Sequence, residues 1–542
     1  MLIGVFGGLG LFLYGMQTLS DGLQKVAGDR LRRLLEVLTR NPLTGVIMGT
    51  VVTAILQSSS ATTVMIVGFV NAGLMTLRQA AGVIMGANVG TTVTAQIIAL
   101  DLSEAALPAT ALGVLLIMFS KNKRTRYVGQ ALVGFGLLFL GMTTMSTSMK
   151  PLADMQWFTD LTARFAQNPF LGVLAGIGLT GIVQSSSATI GILQGLAREG
   201  AISLQAALPV LFGDNIGTTV TALLASIGTS LAARRAAVMH TLFNVIGTII
   251  FLIIFPLVVP IVLRSSTSIV QQIANAHTGF NVANTLIQLP FIGVLVLLVT
   301  RLIPGETEIP SRPHYLDRRF LHSPAVALQQ ARKHFVLMGQ IAKETVHLAA
   351  EGVLNNDDEA VQRAFQLEQE VNQMEHEGIQ YLLDISKQSI SDQQSEMINM
   401  MLNVANDLER IGDHGENIGE LALEKIEAKL GFSEQAQEEL VLMRDQVLAL
   451  VERAVSVLQT DNKTLASNLY KYEEQIDELE TQLRNSHMAR LNAGACLTTP
   501  GIIFLDVISN LERVADHASN IGNWIIDYTP THTSPNLPEH DD

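Results

Sequence analysis

The sequence is poor in cysteine and in charge. Its 542 residues contain a single cysteine, Cys496, which excludes an intrachain disulfide framework, a cysteine-rich zinc site and a cysteine-ligated iron–sulfur cluster. Charged residues make up 15% of the chain, whereas soluble globular proteins carry about 25%. This shortage of charge argues against a large soluble enzyme.

The few charges are divided unevenly between two parts of the chain. Residues 1–300 contain 16 Lys and Arg against 9 Asp and Glu, a net charge of +7. The rest of the chain carries a net charge of −21, and the two parts sum to the overall −14. An apolar, mildly basic part followed by a polar, acidic part predicts a membrane domain fused to a soluble domain. The acidic soluble part also argues against nucleic acid as a partner.

Long apolar stretches predict the membrane crossings. The N-terminal stretch has neither a basic region nor a small-residue cleavage site, so we expect a retained first span and not a signal peptide. Other stretches approach the length of about 20 residues that a helix needs to cross a bilayer. They lie near residues 80–100, 106–120, 127–148, 203–227, 236–263 and 279–300.

Two further apolar regions, 43–74 and 170–197, are each interrupted by a polar run. The runs are QSSSATT at Gln57–Thr63 and QSSSATI at Gln184–Ile190, and the apolar pieces beside them are too short to cross a bilayer. Each region is therefore predicted to be a re-entrant helical hairpin. A broken backbone at that depth is tolerated only inside protein or against a cavity.

Basic residues predict the orientation, because cytoplasmic loops carry an excess of Lys and Arg. With the hairpins counted as non-crossing, three basic clusters fall on one side: Lys25 to Arg40, Lys121 to Arg126, and Arg234 with Arg235. This predicts an N-terminus outside and the acidic part inside, with Lys150 and Arg164 as a mild exception.

The membrane part contains an internal repeat. Residues 41–100 align with 168–227 without a gap, at an offset of 127 and with roughly 26 identities in 60 positions. The matches include both QSSSAT runs and the pair GANVGTTVTA and GDNIGTTVTA. Each repeat, about 1–120 and 127–263, holds three expected crossings, so the second copy is inverted. Inverted repeats are typical of secondary transporters that bind substrate near the midplane.

The repeated residue types favour an anion together with a small hard cation. A helix that follows QSSS presents free N–H groups and the positive end of its dipole, which attract an anion. Serine hydroxyls add neutral donors, and two facing turns suit a tetrahedral oxyanion. The Asn and Thr oxygens of the second motif suit Na⁺ better than a soft transition metal. Asp214, which aligns with Ala87, is a candidate cation ligand or proton site, unless it lies at the interface.

Other readings of these residues remain open at this point. Ser, Thr and Gly in membrane helices often serve only close packing. An intramembrane serine hydrolase would need Ser59 or Ser186 as nucleophile and His240 or His277 as base, although no G-x-S-x-G elbow surrounds either run. Polar residues elsewhere in the spans are expected to form interhelical hydrogen bonds; they are His240, Asn244, His277, Asn281 and Asn284.

Two QSSS runs, each followed by G-x-N-x-G-T-T, resemble the sodium-dependent phosphate cotransporter family. The resemblance covers about 1–300 and implies a QSSS phosphate site at Gln57, Ser58, Ser59, Ser60, Gln184, Ser185, Ser186 and Ser187. The resemblance also implies a set of sodium-binding residues from the QSSS and G-x-N-x-G-T-T motifs. The G-x-N-x-G-T-T residues are either sodium ligands or structural supports. That set is Gln57, Ser60, Asn88, Thr91, Thr92, Gln184, Ser187, Asn215, Thr218, Thr219 and Asp214.

The acidic part begins after a linker rich in proline and charge, 303–324. Six helices are predicted near 325–355, 358–388, 392–428, 434–459, 462–490 and 499–528, and 529–542 is expected to be a flexible tail. NDLERIGDHGENIGE (406–420) aligns with SNLERVADHASNIGN (509–523) at an offset of 103, which predicts a bundle of two three-helix units.

This part resembles the PhoU family of phosphate-signalling regulators, whose E-x-x-x-D motifs bind metal clusters. The resemblance implies a divalent or ferric metal held by Glu409, Asp413, Glu512 and Asp516. Like charges at i, i+4 repel and favour a bound cation. The alternative is a solvated helix face on which Arg410 and Arg513 neutralise the carboxylates.

The sequence thus predicts an all-α membrane protein of the bacterial inner membrane, with a transporter domain (1–302) and a cytoplasmic PhoU-like domain (325–528). We expect a sodium-coupled phosphate transporter and not an enzyme. Its expected partners are inorganic phosphate, membrane lipids, and either phosphate-signalling proteins or a second copy bound through the PhoU-like domain. The alternatives are a phosphate exporter of the same fold and a membrane phosphate sensor without net transport.

Overall fold

The computed structural model describes residues 1–36, 41–305, 315–494 and 496–528. It divides into two compact units, Met1–Ala325 and Val326–Asp542. Every regular element among the described residues is helical, which confirms the all-α prediction.

Fifteen α-helices build the described part of the first unit. They are α1 (Leu2–Glu36), α2 (Pro42–Leu56), α3 (Ser59–Asn71), α4 (Leu77–Ala99), α5 (Ala106–Phe119), α6 (Lys123–Met149), α7 (Gln156–Gln167), α8 (Pro169–Val183), α9 (Ser186–Arg198), α10 (Leu204–Gly217), α11 (Thr219–Ala225), α12 (Leu231–Ile253), α13 (Phe255–Leu263), α14 (Ile269–Gln288) and α15 (Ile292–Leu302). The predicted hairpin regions form the short helix pairs α2–α3 and α8–α9.

Within the described ranges, six helical stretches are long and apolar enough to cross a membrane, or seven if the bent pair α7–α8 counts as one. They are Leu2–Val26, Leu77–Ala99, Lys123–Asp154, Leu204–Ala225, Leu231–Ile253 and Ile269–Leu302. A multi-pass membrane protein with a soluble second unit follows from this pattern.

Two crossings differ from the sequence prediction. The stretch near 106–120 forms α5 and the single helical turn before it, an apolar segment over Ser103–Phe119 that is shorter than the six stretches above and lies at the lower limit of about 17 residues for a crossing. The last stretch begins at Ile269, not near 279, because the polar residues of α14 find partners. Gln271 donates to Gln96 Oε1 at 2.8 Å, and Gln272 donates to the Ser266 carbonyl at 2.7 Å.

The two repeats are related by an inverted pseudo-two-fold axis, which is visible where α1 and α6 pack antiparallel. A Cβ added at Gly8 would lie 2.5 Å from the backbone nitrogen of Met145. At Gly134, which is equivalent to Gly8, a Cβ would lie 2.2 Å from the nitrogen of Leu19, which is equivalent to Met145. The contact recurs with the two helices exchanged, as a two-fold axis requires.

Each hairpin packs in the same way against the long helix that follows it. α2 lies on α4 and α8 lies on α10, with glycines at the contact. A Cβ at Gly86 would lie 2.0 Å from the Val46 carbonyl oxygen, and at the equivalent Gly213 it would lie 2.0 Å from that of Val173. Close backbone contact of this kind fixes both hairpins in their repeats.

Six helices form the described part of the second unit: α16 (Pro324–Asn355), α17 (Asp358–Ser386), α18 (Asp392–Glu427), α19 (Glu434–Thr460), α20 (Lys463–Asn492) and α21 (Thr498–Asp527). Their bounds lie within two residues of the predicted ones. α18 and α21, which carry the 103-residue repeat, pack on each other, and His517 Nδ1 of α21 lies 2.9 Å from Asp407 Oδ1 of α18.

Candidate anion-binding cavity between the two QSSS turns

A cavity of about 310 Å³ lies between the turns of the two hairpins. All eight QSSS residues line it: Gln57, Ser58, Ser59, Ser60, Gln184, Ser185, Ser186 and Ser187. The remaining lining residues are Leu13, Met16, Gln17 and Ser20 of α1, Leu56 of α2 and Thr91 of α4. Residues 127 positions apart in the sequence therefore converge on one volume.

Each turn has the same local structure. Gln57 and Gln184 adopt the left-handed conformation, with φ of 53° and 56°, and end α2 and α8. The next residue is extended and begins a new helix: Ser58 Oγ accepts from the Ala61 N–H at 3.1 Å, and Ser185 Oγ accepts from the Ala188 N–H at 3.2 Å. The chain thus stops one helix and starts another within two residues.

This geometry presents helix N-termini to the cavity. The N–H groups of the first helical residues have no acceptor within their own helix, and here those residues are Ser59 and Ser60 in one turn and Ser186 and Ser187 in the other. Each helix N-terminus carries about half a positive charge. Among the described residues that line the cavity, no side chain carries a formal charge, so the cavity attracts an anion through dipoles and neutral donors.

The two glutamines are held differently. Gln57 is 5% exposed, and its Oε1 accepts a 2.7 Å hydrogen bond from Thr94 Oγ1 of α4. Gln184 is exposed. Thr221, the equivalent of Thr94, donates to the Thr218 carbonyl at 2.9 Å, where the chain breaks between α10 and α11. The two repeats are therefore not in the same conformation.

The predicted sodium set is only partly gathered at the cavity. Gln57, Ser60, Thr91, Gln184 and Ser187 line it. Asn88 lies in a buried network, where its amide donates to Asn244 Oδ1 at 2.7 Å. The other members bond within their own surroundings: Thr92 to Val89, Asn215 to Leu211, Thr218 to the Asp214 carbonyl, Thr219 to Ile216, and the Asp214 carboxylate to Thr180.

The histidines of the hydrolase alternative lie away from the serines. His240 Nε2 is 3.2 Å from Asn88 Oδ1, and neither ring nitrogen of the buried His277 has a hydrogen-bond partner among the described residues. Asn244 and Asn281 donate to the carbonyls of His240 and His277, one turn earlier. Since neither histidine lines the cavity, the arrangement offers the serines no general base.

Some residues at the cavity were missed by sequence reasoning. Gln17 and Ser20 line it from α1, and Ser20 Oγ donates to the Leu56 carbonyl at 2.7 Å. Their spacing, one turn apart in an apolar helix, was a signal that the sequence offered. Thr94 carried no such signal, because only the fold brings it to Gln57.

The second unit contains two acidic clusters, one around each predicted E-x-x-x-D motif. Burial, together with the charges of Glu416 and Asp413, raises the pKa of Glu368 to about 7. The pKa of Glu409 is also raised by burial, followed by the charge of Asp413. Arg410 lies 3.0 Å from Asp413, so this cluster is partly neutralised from its own helix.

The other cluster adds residues that the motif comparison missed. Glu473, Asp477 and Asp516 each offer a carboxylate oxygen within 4.8 Å of the others. Burial, followed by the charges of Asp477 and Asp516, raises the pKa of Glu473 to about 7. The pKa of Glu512 is raised by burial and by Asp516. Glu473–Asp477 is itself an E-x-x-x-D spacing and was visible in the sequence.

An inverted-repeat helical domain with a neutral, polar cavity at the repeat interface defines the architecture of a secondary transporter. The model of the Na⁺/Pi-cotransporter family matches this chain twice, over residues 11–147 and 140–289, and the PhoU domain model matches 335–422 and 440–525. The chain belongs to the Na⁺/Pi-cotransporter family and carries a C-terminal PhoU domain.

Curated relatives include proteins of the full length and of the membrane unit alone. The chain is 27% identical over 494 residues, 91% of either chain, to the Salmonella typhimurium protein named as an inorganic phosphate export protein, YjbB. It is 33% identical over 295 residues, 54% of this chain and 96% of the relative, to Bacillus subtilis YqeW. It is 39% identical over 101 residues, 18% of this chain and 15% of the relative, to the human sodium-dependent phosphate transport protein 2B.

Proposed function

We propose that this protein is a sodium-coupled transporter of inorganic phosphate across the inner membrane, regulated by its PhoU domain on the cytoplasmic side. The observation that carries the proposal is the cavity of about 310 Å³ in which both QSSS turns meet. Phosphate needs many donors, and two helix N-termini with their serine hydroxyls supply them without a buried cation. The weak, neutral donor set also permits release on the other side.

Sodium coupling has an electrical reason. Phosphate carries one to two negative charges near neutral pH, and each charge moved against 100 mV costs about 2.3 kcal/mol. A co-bound Na⁺ cancels that cost and adds its own gradient. The cavity is lined by Ser60, Thr91, Ser187, Gln57 and Gln184, whose hydroxyl and carbonyl groups are hard oxygen ligands. Sodium dependence in the name of the human relative supports this choice.

Export is the second candidate for direction. It is favoured by the YjbB relative, which matches over 91% of its length and is named for phosphate export. The same cavity serves both directions, because an alternating-access carrier runs with whichever gradient is larger. The basic loops favour a PhoU domain on the cytoplasmic side and an N-terminus outside, and in that orientation regulation acts from inside the cell.

The segment that leads to the PhoU domain is anchored on the first hairpin, and we propose that regulation acts through this anchor. Phe320 is fully buried, with its ring centroid 4.8 Å from that of Phe69 in α3. Asp317 accepts a hydrogen bond from Asn71 at 3.1 Å, and Arg319 donates to the Ala225 carbonyl at 2.9 Å. The N-terminus of α3 lines the cavity. A movement of the anchored segment that displaces the C-terminus of α3 therefore also displaces the phosphate site.

The carboxylates of the second unit fit a hard metal ion. Several have raised pKa values because burial and neighbouring negative charges leave their charge uncompensated. We propose that Glu512 and Asp516, with Glu473 and Asp477, hold one divalent or ferric metal centre, and that Glu409 and Asp413, with Glu368, hold another. Bound metal would neutralise the repulsion and make the bundle sensitive to metal supply.

The test is flux of ³²P-phosphate in proteoliposomes, with a Na⁺ gradient in either direction and with K⁺ in place of Na⁺. Wild type is compared with Ser59→Ala, Ser186→Ala and the loop variant Ser120→Ala as control. We expect Na⁺-driven flux that either cavity variant abolishes and the control preserves. Phosphate binding without flux in any gradient would replace the transporter by a sensor. Labelling of a cavity serine by a fluorophosphonate would restore the hydrolase reading.

A further inference from the structure

A carboxylate lies buried in the second repeat with almost nothing to neutralise it. Asp214 in α10 is fully buried. Its Oδ1 accepts one hydrogen bond, from Thr180 Oγ1 at 2.6 Å, and its Oδ2 has no partner among the described residues. A buried, ionised carboxylate with one neutral donor is very costly, so a cation or a proton must accompany it.

No described basic side chain in the surrounding helices forms an ion pair with Asp214. α10 packs on α7, α8, α9, α12 and α14. Arg198 of α9 pairs with Asp101 at 3.2 Å, and Arg235 of α12 donates to the carbonyls of Ile303 and Gly305. The remaining titratable side chains on these helices are Asp160, Arg164, Arg234, His240 and His277, and none of these described side chains forms a hydrogen bond or ion pair with the carboxylate.

A chain of hydrogen bonds links this carboxylate to both arms of the hairpin, directly to Thr180 and through Thr180 to Thr189. Thr180 of α8 lies 2.8 Å from Thr189 of α9, oxygen to oxygen. Thr180 is one turn before Gln184, whose N–H donates to the Thr180 carbonyl at 2.7 Å, and Thr189 is one turn after Ser185. The cluster therefore joins α8, α9 and α10 directly beneath the QSSS turn.

The first repeat has the same threonines without the carboxylate. Thr53 and Thr62, equivalent to Thr180 and Thr189, are hydrogen-bonded at 2.9 Å, and Ala87 stands where Asp214 stands in the other copy. The first hairpin is thus closed by two hydroxyls alone. The second contains a charge that its own residues do not balance, which gives only this copy a requirement for a cation.

We infer that Asp214, Thr180 and Thr189 form a sodium site that is separate from the cavity and holds the arms of the second hairpin together. A proton would need the carboxylate alone, whereas two further hydroxyl oxygens on different helices suit a small hard cation. The inference rests on the proposed sodium coupling, which it deepens: one coupling ion acts on the hairpin and not on the phosphate.

The experiment measures ²²Na⁺ binding to the purified full-length protein without phosphate. Asp214→Ala, which copies the first repeat, and Asp214→Asn are compared with wild type. We expect one Na⁺ fewer per chain in both variants. Thr189→Val should weaken this site about tenfold, while the matched variant Thr62→Val should leave it unchanged. Thermal unfolding checks that each variant is folded, and Thr189→Val carries the test if the Asp214 variants are not.

Sodium binding with unchanged stoichiometry and affinity in the Asp214 and Thr189 variants would overturn the inference. If sodium binding is unchanged and the pH dependence of phosphate flux is lost in Asp214→Asn, the carboxylate holds a proton and not Na⁺. That outcome would also overturn the inference. Failure of the proposed function looks different. In that case wild type shows no Na⁺-driven phosphate flux, whatever the variants do to ²²Na⁺ binding.

Discussion

The hydrogen bond between Thr94 and Gln57 offers a sharp test of how the phosphate cavity is organised. Thr94 Oγ1 donates to Gln57 Oε1 at 2.7 Å, and Thr94 is 2% exposed. Valine has nearly the same shape but no hydroxyl. Thr94→Val therefore leaves the buried Gln57 oxygen without its donor, and among the described residues only the bond from Gln57 Nε2 to the Ala54 carbonyl still holds this side chain.

The size of the effect follows from burial. An unsatisfied buried acceptor costs about 1–3 kcal/mol. If all of that cost falls on the binding-competent turn, phosphate affinity drops by about 5- to 150-fold. The matched variant is Thr221→Val, because Thr221 donates only to a carbonyl of its own segment and Gln184 is exposed. We expect it to change affinity by less than about twofold.

The assay is the concentration dependence of ³²P-phosphate uptake, together with phosphate binding to the purified protein. We expect a raised KM for phosphate with Thr94→Val and an unchanged KM with Thr221→Val. Equal effects of the two variants would show that the hydroxyls matter only for folding. No effect of either would show that Gln57 does not take part in binding.

Three further predictions follow from packing and charge. Gly8→Ala places a methyl group against the backbone of α6 and should lower the free energy of unfolding by about 1–3 kcal/mol. Gly7→Ala should not, because a Cβ at Gly7 meets nothing within 4 Å. Thermal unfolding in detergent distinguishes the two variants. Phe320→Ala should cost about 3–5 kcal/mol and release the anchor to limited proteolysis, whereas the exposed Phe119→Ala should do neither. The pKa of Glu473 is raised by burial to about 7. Without metal, the stability of the PhoU domain should therefore fall as pH rises from about 4.5 to 7, less so in Glu473→Gln, and added divalent metal should reverse the loss; pH-independent unfolding in EDTA would contradict this.

The helical framework could be predicted from the sequence because its signals are local. Amphipathic periods and capping residues such as Ser391 and Ser433 placed the six helices of the PhoU domain within two residues. The gap-free repeat predicted that the turns containing Gln57 and Gln184 would face each other. The early start of α14 could not be predicted, since its polar residues are acceptable only after tertiary partners such as Gln96 are in place.

The residues of the site could be predicted from the sequence, but their hydrogen-bond partners could not. Identical motifs gave identical expectations for both repeats, yet Gln57 is bonded to α4 and Gln184 is exposed. The sequence predicts one sodium set from the second motif. In the structure, Asn88 joins a network with His240 and Asn244, and Asp214 accepts a hydrogen bond from Thr180. Such differences depend on which neighbours the fold supplies, and a repeat in the sequence contains no information about them.

The asymmetry between the repeats suggests how access alternates. The chain is continuous through α4 but broken between α10 and α11 at Thr218, and only the first glutamine is bonded to the helix behind it. Since an inverted two-fold axis exchanges the repeats, we expect the opposite state to bond Gln184 to Thr221 and to break α4 near Thr91, the equivalent of Thr218. In a background that lacks Cys496, Gln184→Cys should react with a hydrophilic maleimide faster than Gln57→Cys, and the order should reverse when the opposite state is trapped. Equal rates in every condition would mean that the asymmetry is not part of the transport cycle.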